Sequence, residues 1–261
     1  MAVYANDWIG ITINLDGVFE WRELELIFKF LGPLQELFCH GLALDIGANI
    51  GNHSVFFDKI FARTYSFEPN PATYRLLRFN TDYTKNVRIF DYGLGNKAGQ
   101  YDLFENPQNV GGASLTFSNM HASESTKIEV RRLDSCGVDL GGLCLMKVDV
   151  EGYEAEVFYG SIETIKTFQP VILFEQFQNE FIGGTTKAIE ILKDLGYTFC
   201  WYQIDRDNRA WVLRRLRNIM ELIRGRTIVE EIVCSDVVPP DNYSLLIAVP
   251  LKHRNRLGLP L

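Results

Sequence analysis

The chain has 261 residues, of which 47% are hydrophobic and 23% are charged, and this composition excludes disordered and fibrous proteins. Its formal net charge of −7 opposes sequence-independent binding to nucleic acid, because such binding depends on Lys and Arg side chains that neutralise phosphates. Single α/β domains commonly reach this length, so we expect one domain over residues 1–261.

The five cysteines form an odd set without a C-x-x-C pair, and they indicate neither a disulfide framework nor a zinc site. We expect free thiols in a reducing cytosol at Cys39, Cys136, Cys144, Cys200 and Cys234. The beginning of the chain lacks the basic segment of a signal peptide, and no apolar run approaches the ~20 residues of a membrane span. The sequence therefore predicts a cytoplasmic protein.

Residues 1–40 are predicted to form an N-terminal cover on the domain. Apolar and polar residues alternate over 11–15, which predicts a short strand, and Asp16-Gly17 supplies a turn after it. A helix is predicted over 20–31, and Gly32-Pro33 ends it.

Apolar runs and helix-like segments alternate in the following part of the chain. The runs lie at 42–46, 63–67, 87–90, 143–150 and 171–175, and the helix-like segments lie near 51–61, 72–82, 153–166 and 185–195. This alternation predicts a parallel sheet covered by helices on both faces. Two further strands are predicted over 197–204 and 243–249. A loop is predicted at 105–126 and a basic insertion near 205–232.

The first apolar run leads into a glycine-rich turn that is typical of nucleotide-type sites. Gly47 and Gly51 let the backbone turn sharply, and the helix beyond them presents unpaired N–H groups. Glu68 follows the second strand, where an acidic side chain can accept both hydroxyls of a ribose. The cofactor-binding residues predicted from this region are Asp45, Gly47, Ala48, Asn49, Gly51, Asn52 and Glu68.

The same turn argues against a dinucleotide. The dinucleotide pattern requires glycines at 47, 49 and 52, but the chain has asparagines at the last two positions. S-adenosylmethionine carries no phosphate, and its ammonium group can meet Asp45. The pattern therefore favours this methyl donor over NAD. The structural alternative is a turn capped by glycines, with Asp45 as a helix cap, in an α/β protein that binds no cofactor.

The chain also resembles the FkbM-type methyltransferases. The matching blocks are D-I-G-A-N-I-G at 45–51, S-F-E-P-N-P at 66–71, G-G-A-S-L at 111–115, M-K-V-D-V-E-G-Y-E at 146–154 and P-V-I-L-F-E at 170–175. The resemblance covers roughly residues 16–200. It implies the class I methyltransferase fold, a Rossmann-like, doubly wound, mostly parallel sheet of seven strands with an antiparallel edge strand.

In function, the resemblance implies methyl transfer to a hydroxyl group, often on a sugar or a secondary metabolite. The acceptor would be a small molecule or a glycan. Asp45, Gly47 and Gly51 would hold the methionine part of the donor and Glu68 its ribose. Two further residues, Asp91 and Gly93, would lie near the adenine.

Four residues are predicted to form the catalytic end of the site. They are Lys147, Asp149, Glu151 and Glu175. Strand periodicity places Lys147 and Asp149 on one face, and Glu175 ends the next apolar run. Carboxylates gathered in a cleft repel one another, which raises the pKa of at least one toward that of a general base. The structural alternative is an ion-pair network around Lys147.

The same carboxylates could instead hold Mg²⁺ that activates the acceptor hydroxyl. We favour the base and predict no metal ligand, because only Asp149 and Glu175 are well positioned and these blocks contain no histidine. His53, after the glycine turn, is a second candidate base. We favour the alternative, in which His53 is a helix-start residue hydrogen-bonded to a loop.

Two segments leave alternatives open. The loop at 111–114 either closes over the substrate or is a mobile surface connection. The insertion at 206–226 contains seven arginines beside apolar residues. It is predicted either to rest on an anionic membrane surface or bind an acidic partner, or, as we prefer, to pack as a solvated helix on the domain.

Two other functional classes remain as alternatives. One is a binding module that retains S-adenosylmethionine without catalysis, and the carboxylates at 149, 151 and 175 weigh against it. The other is a nicotinamide-dependent oxidoreductase, against which the two asparagines of the turn argue. The sequence leaves the acceptor and the oligomeric state open.

Overall fold

The computed structural model describes residues 1–4, 8–17, 19–106, 109–114, 125–204 and 230–259. Its strands are β1 Leu42–Ile46, β2 Arg63–Phe67, β3 Val87–Phe90, β4 Gly93–Leu94, β5 Gly99–Asn106, β6 Asn109–Ser114, β7 Ser125–Arg131, β8 Leu143–Val148, β9 Val171–Gln176, β10 Tyr197–Ile204, β11 Glu230–Ser235 and β12 Tyr243–Pro250. The helices are α1 Trp8–Asp16, α2 Trp21–Phe30, α3 Gln35–His40, α4 Asn52–Phe57, α5 Pro71–Thr81, α6 Glu154–Tyr159, α7 Ile162–Phe168, α8 Lys187–Asp194 and α9 Leu251–Arg254.

The main sheet has the order β11-β10-β12-β9-β8-β1-β2-β3. Strands β3, β2, β1, β8 and β9 pair in parallel, and β12 pairs antiparallel with β9 and β10. The edge strand β11 pairs antiparallel with β10. The predicted mostly parallel α/β sheet with an antiparallel edge strand is confirmed. The predicted number of seven strands is wrong, because β11 makes an eighth in the described ranges and β12 adds an antiparallel strand inside the sheet.

The two faces of the sheet are buried by different helices. All five residues of β1 are buried, and alternate side chains point to opposite faces. Leu44 shares one hydrophobic cluster with residues of α6 and α8, whereas Ala43 shares the other with residues of α2, α3 and α4. This is the arrangement of helices on both faces that the alternating pattern predicted.

The predicted strand over 11–15 is wrong, because these residues lie inside α1. Alternation over five residues is too short to separate a strand from a helix, and an isolated strand leaves its backbone groups unpaired. The helix satisfies them locally, as in the 2.8 Å bond from the Gly17 N–H to the Ile13 carbonyl. The helix predicted over 20–31 is confirmed as α2.

The predicted loop at 105–126 is also wrong in part. Strands β5 and β6 pair as an antiparallel hairpin in a second sheet of order β4-β7-β5-β6. Residues 115–124 lie outside the described residues. So does most of the insertion, at 205–229, but its predicted last residues, 230–232, belong to β11. In the described ranges, no helix has the length and apolar character needed to cross a membrane.

The cysteines require another correction. Cys200 and Cys234 are directly opposite each other in the β10–β11 pair, with 4.0 Å between their Cα atoms, and they form a disulfide. The expectation of five free thiols is therefore wrong for this pair and holds for Cys39, Cys136 and Cys144. The two residues are 34 positions apart, so their pairing could not be predicted from the spacing of the cysteines. Because cytosolic disulfides are rare, the cysteines no longer support a cytoplasmic location, which stays a prediction.

Closing a loop of this length restricts the unfolded chain, so Cys234→Ser should lower the free energy of unfolding by about 3–4 kcal/mol under non-reducing conditions. Alkylation of the denatured, unreduced protein should modify three thiols by mass spectrometry. The variant Cys39→Ser, which removes an exposed free thiol, should unfold like the wild type. Five modified thiols would show that the pair does not form.

Candidate active site

The candidate site lies at the edge of the sheet where β1, β2, β8 and β9 end. Because these strands are parallel, their carboxyl ends meet there. The N–H groups of Gly47 and Ala48 both donate to the Phe67 carbonyl at 3.0 Å, and the Asp149 N–H donates to the Ile46 carbonyl at 3.0 Å. The turn after β1 is thus anchored to β2, and the end of β1 is bonded to the residue after β8.

Gly47 is at a position that only glycine can occupy without strain. Its φ is +73°, and a Cβ atom there would overlap the backbone carbonyl of Asp149. Asn49, two residues on, also has a left-handed backbone, with φ +49°, and its side-chain Oδ1 accepts from the Ile50 N–H at 2.8 Å. Gly51, with φ +92°, is the N-cap residue directly before α4. The turn is therefore tightly formed and close to β8.

Glu68 follows β2 and is directed at this turn. Its Oε2 accepts from the Asn49 N–H at 3.0 Å and its Oε1 from the Asn70 N–H at 2.8 Å. Only 8% of the residue is exposed, and this burial raises the pKa of Glu68 to about 7, although the two N–H donors act in the opposite direction. Each carboxylate oxygen has a second lone pair, so Glu68 retains the capacity to accept ligand hydroxyls.

Lys147 lies under the turn with 1% of its surface exposed. Its Nζ donates to the Gly47 carbonyl at 3.0 Å and is 3.3 Å from Asp45 Oδ1 and 3.2 Å from Asp149 Oδ2. Burial alone would lower the pKa of Lys147, but the charges of Asp149 and Asp45 outweigh it and the pKa is raised. Lys147 is therefore a fixed cation between two carboxylates, as the ion-pair alternative proposed.

Asp45 is fully buried beside this lysine. Its Oδ2 accepts from Ser54 Oγ at 2.6 Å, and Ser54 Oγ lies 2.8 Å from Ser66 Oγ. The sequence interpretation did not identify either serine, because neither belongs to a motif that suggests a role. The predicted contact between Asp45 and a ligand ammonium stays a prediction, since the partners that the structure gives Asp45 are Ser54 and Lys147.

Three carboxylates meet next to Lys147. Asp149, Glu151 and Glu175 each offer an oxygen within 4.8 Å of the others. Burial, followed by the charges of Asp149 and Glu151, raises the pKa of Glu175 to about 11. Burial also raises the pKa of Glu151 to about 7. The expectation that only Asp149 and Glu175 could serve as ligands is wrong, because the turn after β8 brings Glu151 into the same group.

Glu154 shapes that turn and was not identified from the sequence. Its Oε1 accepts from the Val150 N–H at 3.0 Å and the Gly152 N–H at 3.3 Å. The residue is 2% exposed, and burial raises its pKa to about 8. Its place in the first turn of a helix, where acidic residues are favoured, was the available signal.

The N-terminal segment touches the start of α4 from the other side. Asn52 accepts from the Phe19 N–H and donates to the Phe19 carbonyl, both at 3.1 Å. His53 Nε2 lies 3.2 Å from Glu20 Oε2, and His53 is 6% exposed. These contacts give both predicted residues structural partners in the N-terminal segment.

The two residues predicted near the adenine lie beyond β3. Asp91 is exposed directly after that strand, and Gly93 is buried in β4 beside Pro69. The Glu68 N–H donates to the Phe90 carbonyl at 3.0 Å, so the end of β3 is next to Glu68. The structure therefore places Asp91, Gly93 and Glu68 in one region of the edge.

Comparison with known proteins identifies the family. The model of the methyltransferase FkbM domain matches residues 45–199, which contain the glycine turn, Glu68 and the carboxylate cluster. The chain belongs to the FkbM methyltransferase family. FkbM proteins use S-adenosylmethionine as methyl donor, and the sheet described above is of the class I methyltransferase type that the resemblance implied.

The individual proteins to which the chain is similar are distant in sequence. The hexuronic acid methyltransferase AglP of Haloferax volcanii is 29% identical over 130 residues, which cover 49% of this chain and 53% of AglP. The chain thus spans about half the length of that relative. The methyltransferase sdnD of Sordaria araneosa is 25% identical over 64% of this chain and 76% of its own. The crystal structure of an FkbM methyltransferase from Methylobacillus flagellatus KT is 16% identical, with a TM-score of 0.40 over 80% of this chain and 43% of its own.

The fit of Gly47 against β8 leads to a stability prediction. Gly47→Ala should lower the free energy of unfolding by more than about 3 kcal/mol, because it adds a backbone overlap to the cost of a left-handed residue. Gly137→Ala is the matched control. Gly137 has φ +75°, but among the described residues no atom lies within 4 Å of the position that a Cβ atom would take there. This control should lower the free energy of unfolding by only about 1–2 kcal/mol, measured for both variants by urea unfolding. Equal losses in the two variants would contradict the close approach to Asp149.

Proposed function

We propose that this protein transfers the methyl group of S-adenosylmethionine to a hydroxyl group of a sugar, glycan or secondary metabolite. The observation that carries the proposal is the carboxylate cluster beside the glycine turn, since it puts Asp149, a proton acceptor, next to the predicted methyl-donor site. The name of AglP, a hexuronic acid methyltransferase, supports a sugar as the acceptor.

The residues of the turn fit the donor. When bound, S-adenosylmethionine supplies an electrophilic methyl group on a sulfonium. Gly47 approaches Asp149 so closely that the turn can carry no side chain at that point. Glu68 is held in place by two N–H groups, and its carboxylate oxygens can still accept hydrogen bonds from a ligand. In this proposal Gly47 and Gly51 border the methionine part, Glu68 holds the ribose, and Asp91 and Gly93 border the adenine.

Asp149 is the proposed general base. Its side chain is 32% exposed, so an acceptor hydroxyl can reach it, and Lys147 fixes one of its oxygens. The raised pKa of Glu175 keeps that carboxyl protonated at neutral pH, which limits the negative charge around Asp149. The hydroxyl proton passes to the Asp149 carboxylate as the oxygen becomes a nucleophile. Alignment of the two reactants supplies up to about 7–11 kcal/mol of the barrier reduction.

A metal-assisted reaction is the second candidate. Three carboxylate oxygens within 4.8 Å are the hard ligands that Mg²⁺ prefers, and such an ion would lower the pKa of the acceptor hydroxyl. We favour the base, because the Lys147 ammonium already lies 3.2 Å from Asp149 and repels a second cation.

Contact of the basic insertion with an anionic membrane stays a prediction. Residues 206–226 lie outside the described residues, and the cytoplasmic location likewise stays a prediction.

Removing the ribose contact should weaken donor binding. Glu68→Ala should reduce the affinity for S-adenosylhomocysteine by about 1.5–3 kcal/mol, the range for hydrogen bonds to a charged group, in isothermal titration calorimetry. Glu36→Ala, which removes an exposed carboxylate on α3, is the control and should bind like the wild type. NAD should give no binding heat with any of the three proteins. Unchanged affinity in Glu68→Ala would remove Glu68 from the site.

The two catalytic candidates differ in their response to chelation. With Asp149 as base, Asp149→Asn should lower kcat about 10²–10⁴-fold, while EDTA leaves the wild type unchanged. Turnover is measured as S-adenosylhomocysteine released with a panel of glycosides and uronides as acceptors. Asp194→Asn, an exposed change on α8, should retain activity. Loss of wild-type activity in EDTA that Mg²⁺ restores would favour the metal, and full activity in Asp149→Asn would exclude it as the base.

A further inference from the structure

A cavity of about 700 Å³ opens at the same edge of the sheet, between α2, the end of β10 and the beginning of β12. Because β12 is antiparallel to β9, its first residue, Tyr243, pairs with Gln176, the last residue of β9. Gln176 directly follows Glu175 of the carboxylate cluster. The cavity therefore begins one strand away from that cluster. Its volume lies in the range of about 300–1,000 Å³ that is usual for small-molecule sites.

Glu23 of α2 lines this cavity and is held by β12. Its Oε2 accepts from Ser244 Oγ at 2.6 Å. Burial raises the pKa of Glu23 to about 7, so a carboxyl that would ionise readily in water is kept partly protonated at neutral pH. Glu23 is half-buried. Removing such a group even partly from water costs stability, and an apolar residue would fill the position at lower cost. A carboxyl at this place is therefore more consistent with binding than with packing.

The first turn of α2 connects the cavity to the predicted methyl-donor site. Glu20, just before α2, contacts His53 of α4 at 3.2 Å. The charge of Glu20 acts on the pKa of Glu23 at the cavity and also on the pKa of Lys147 under the glycine turn. Glu20 therefore joins α2, which lines the cavity, to the start of α4, which follows the glycine turn. The cavity and the carboxylate cluster are thus neighbouring parts of one region.

The cavity is lined by aromatic rings together with hydrogen-bond donors and acceptors. The aromatic residues are Trp201 and Tyr202. Gln203 and Asn242 add amides, which both donate and accept, and Glu23 adds a carboxyl group. Sugars have apolar C–H faces that pack on aromatic rings, and their hydroxyls need donors and acceptors together. Asp241 adds a second acidic group to the wall, which disfavours a ring that carries a carboxylate.

We infer that this cavity is the acceptor subsite and takes a neutral polyhydroxylated ring of one or two sugar units, with Glu23 and Ser244 binding one of its hydroxyls. This assignment rests on the proposed methyl transfer to a hydroxyl. It gives α2 a role in acceptor binding, beyond that of a cover on the sheet.

Saturation-transfer difference NMR tests the assignment on the full chain saturated with S-adenosylhomocysteine. The probes are methyl α-D-glucopyranoside, methyl α-D-galactopyranoside and methyl β-D-glucuronide. The wild type should transfer saturation to the ring protons of at least one neutral glycoside, and more strongly than to the glucuronide. Glu23→Leu and Ser244→Ala should each reduce that signal at least fivefold. Glu25→Leu makes the same substitution on the exposed face of α2 and should leave the signal unchanged.

Calorimetry with S-adenosylhomocysteine and thermal unfolding accompany each variant. Glu23→Leu should keep the wild-type Tm or raise it, since it removes a half-buried carboxyl group. If Glu23→Leu does not fold, Ser244→Ala tests the same subsite. Wild-type protein that does not bind S-adenosylhomocysteine would overturn the proposed function itself. Intact donor binding with no glycoside signal, with a signal that survives in both cavity variants, or with preference for the glucuronide would overturn the acceptor assignment alone.

Discussion

Lys147 carries a positive charge inside the sheet, and the geometry of the site depends on how that charge is compensated. A buried ammonium without partners would be strongly destabilising, so Asp45 and Asp149 must stay within ion-pair distance of it. Its third contact, to the Gly47 carbonyl, fixes the backbone of the glycine turn. One side chain thereby sets the relative position of the glycine turn and of the proposed base, Asp149, which follow two different strands.

Carboxyl groups with raised pKa values surround this fixed cation. Glu68, Glu151, Glu154 and Glu175 are all shifted upward, mainly because burial penalises their charged forms. The desolvation of so many carboxyl groups at one edge of a sheet lowers the stability of the fold, and such clusters are characteristic of functional sites. The cost is reduced by backbone N–H groups, which hold Glu68 and Glu154 in defined positions.

The sequence was sufficient for the parts of the fold that follow from continuous patterns. Buried strands such as β1 and β9 appear as apolar runs, and the meeting of Asp149 with Glu175 follows from parallel strands that end at one edge. Contacts that join distant parts of the chain were not accessible in this way. The contact of Glu23 in α2 with Ser244 in β12, and the pairing of Cys200 with Cys234 between two strands, depend on how elements far apart in sequence are arranged. The strand predicted over 11–15 was wrong because an alternation of only five residues does not distinguish a strand from a helix.

The reversed direction of β12 separates the chain into two regions that can change independently. The glycine turn and Glu68 lie within residues 45–68, whereas the strand ends and the loop that border the cavity lie within 201–203 and 239–245. Substitutions in the second region leave the anchoring of the glycine turn by β2 and β8 intact. Under the proposed acceptor assignment, such a chain can acquire a new acceptor in evolution through changes in α2 and in its last third, while the glycine turn is inherited unchanged.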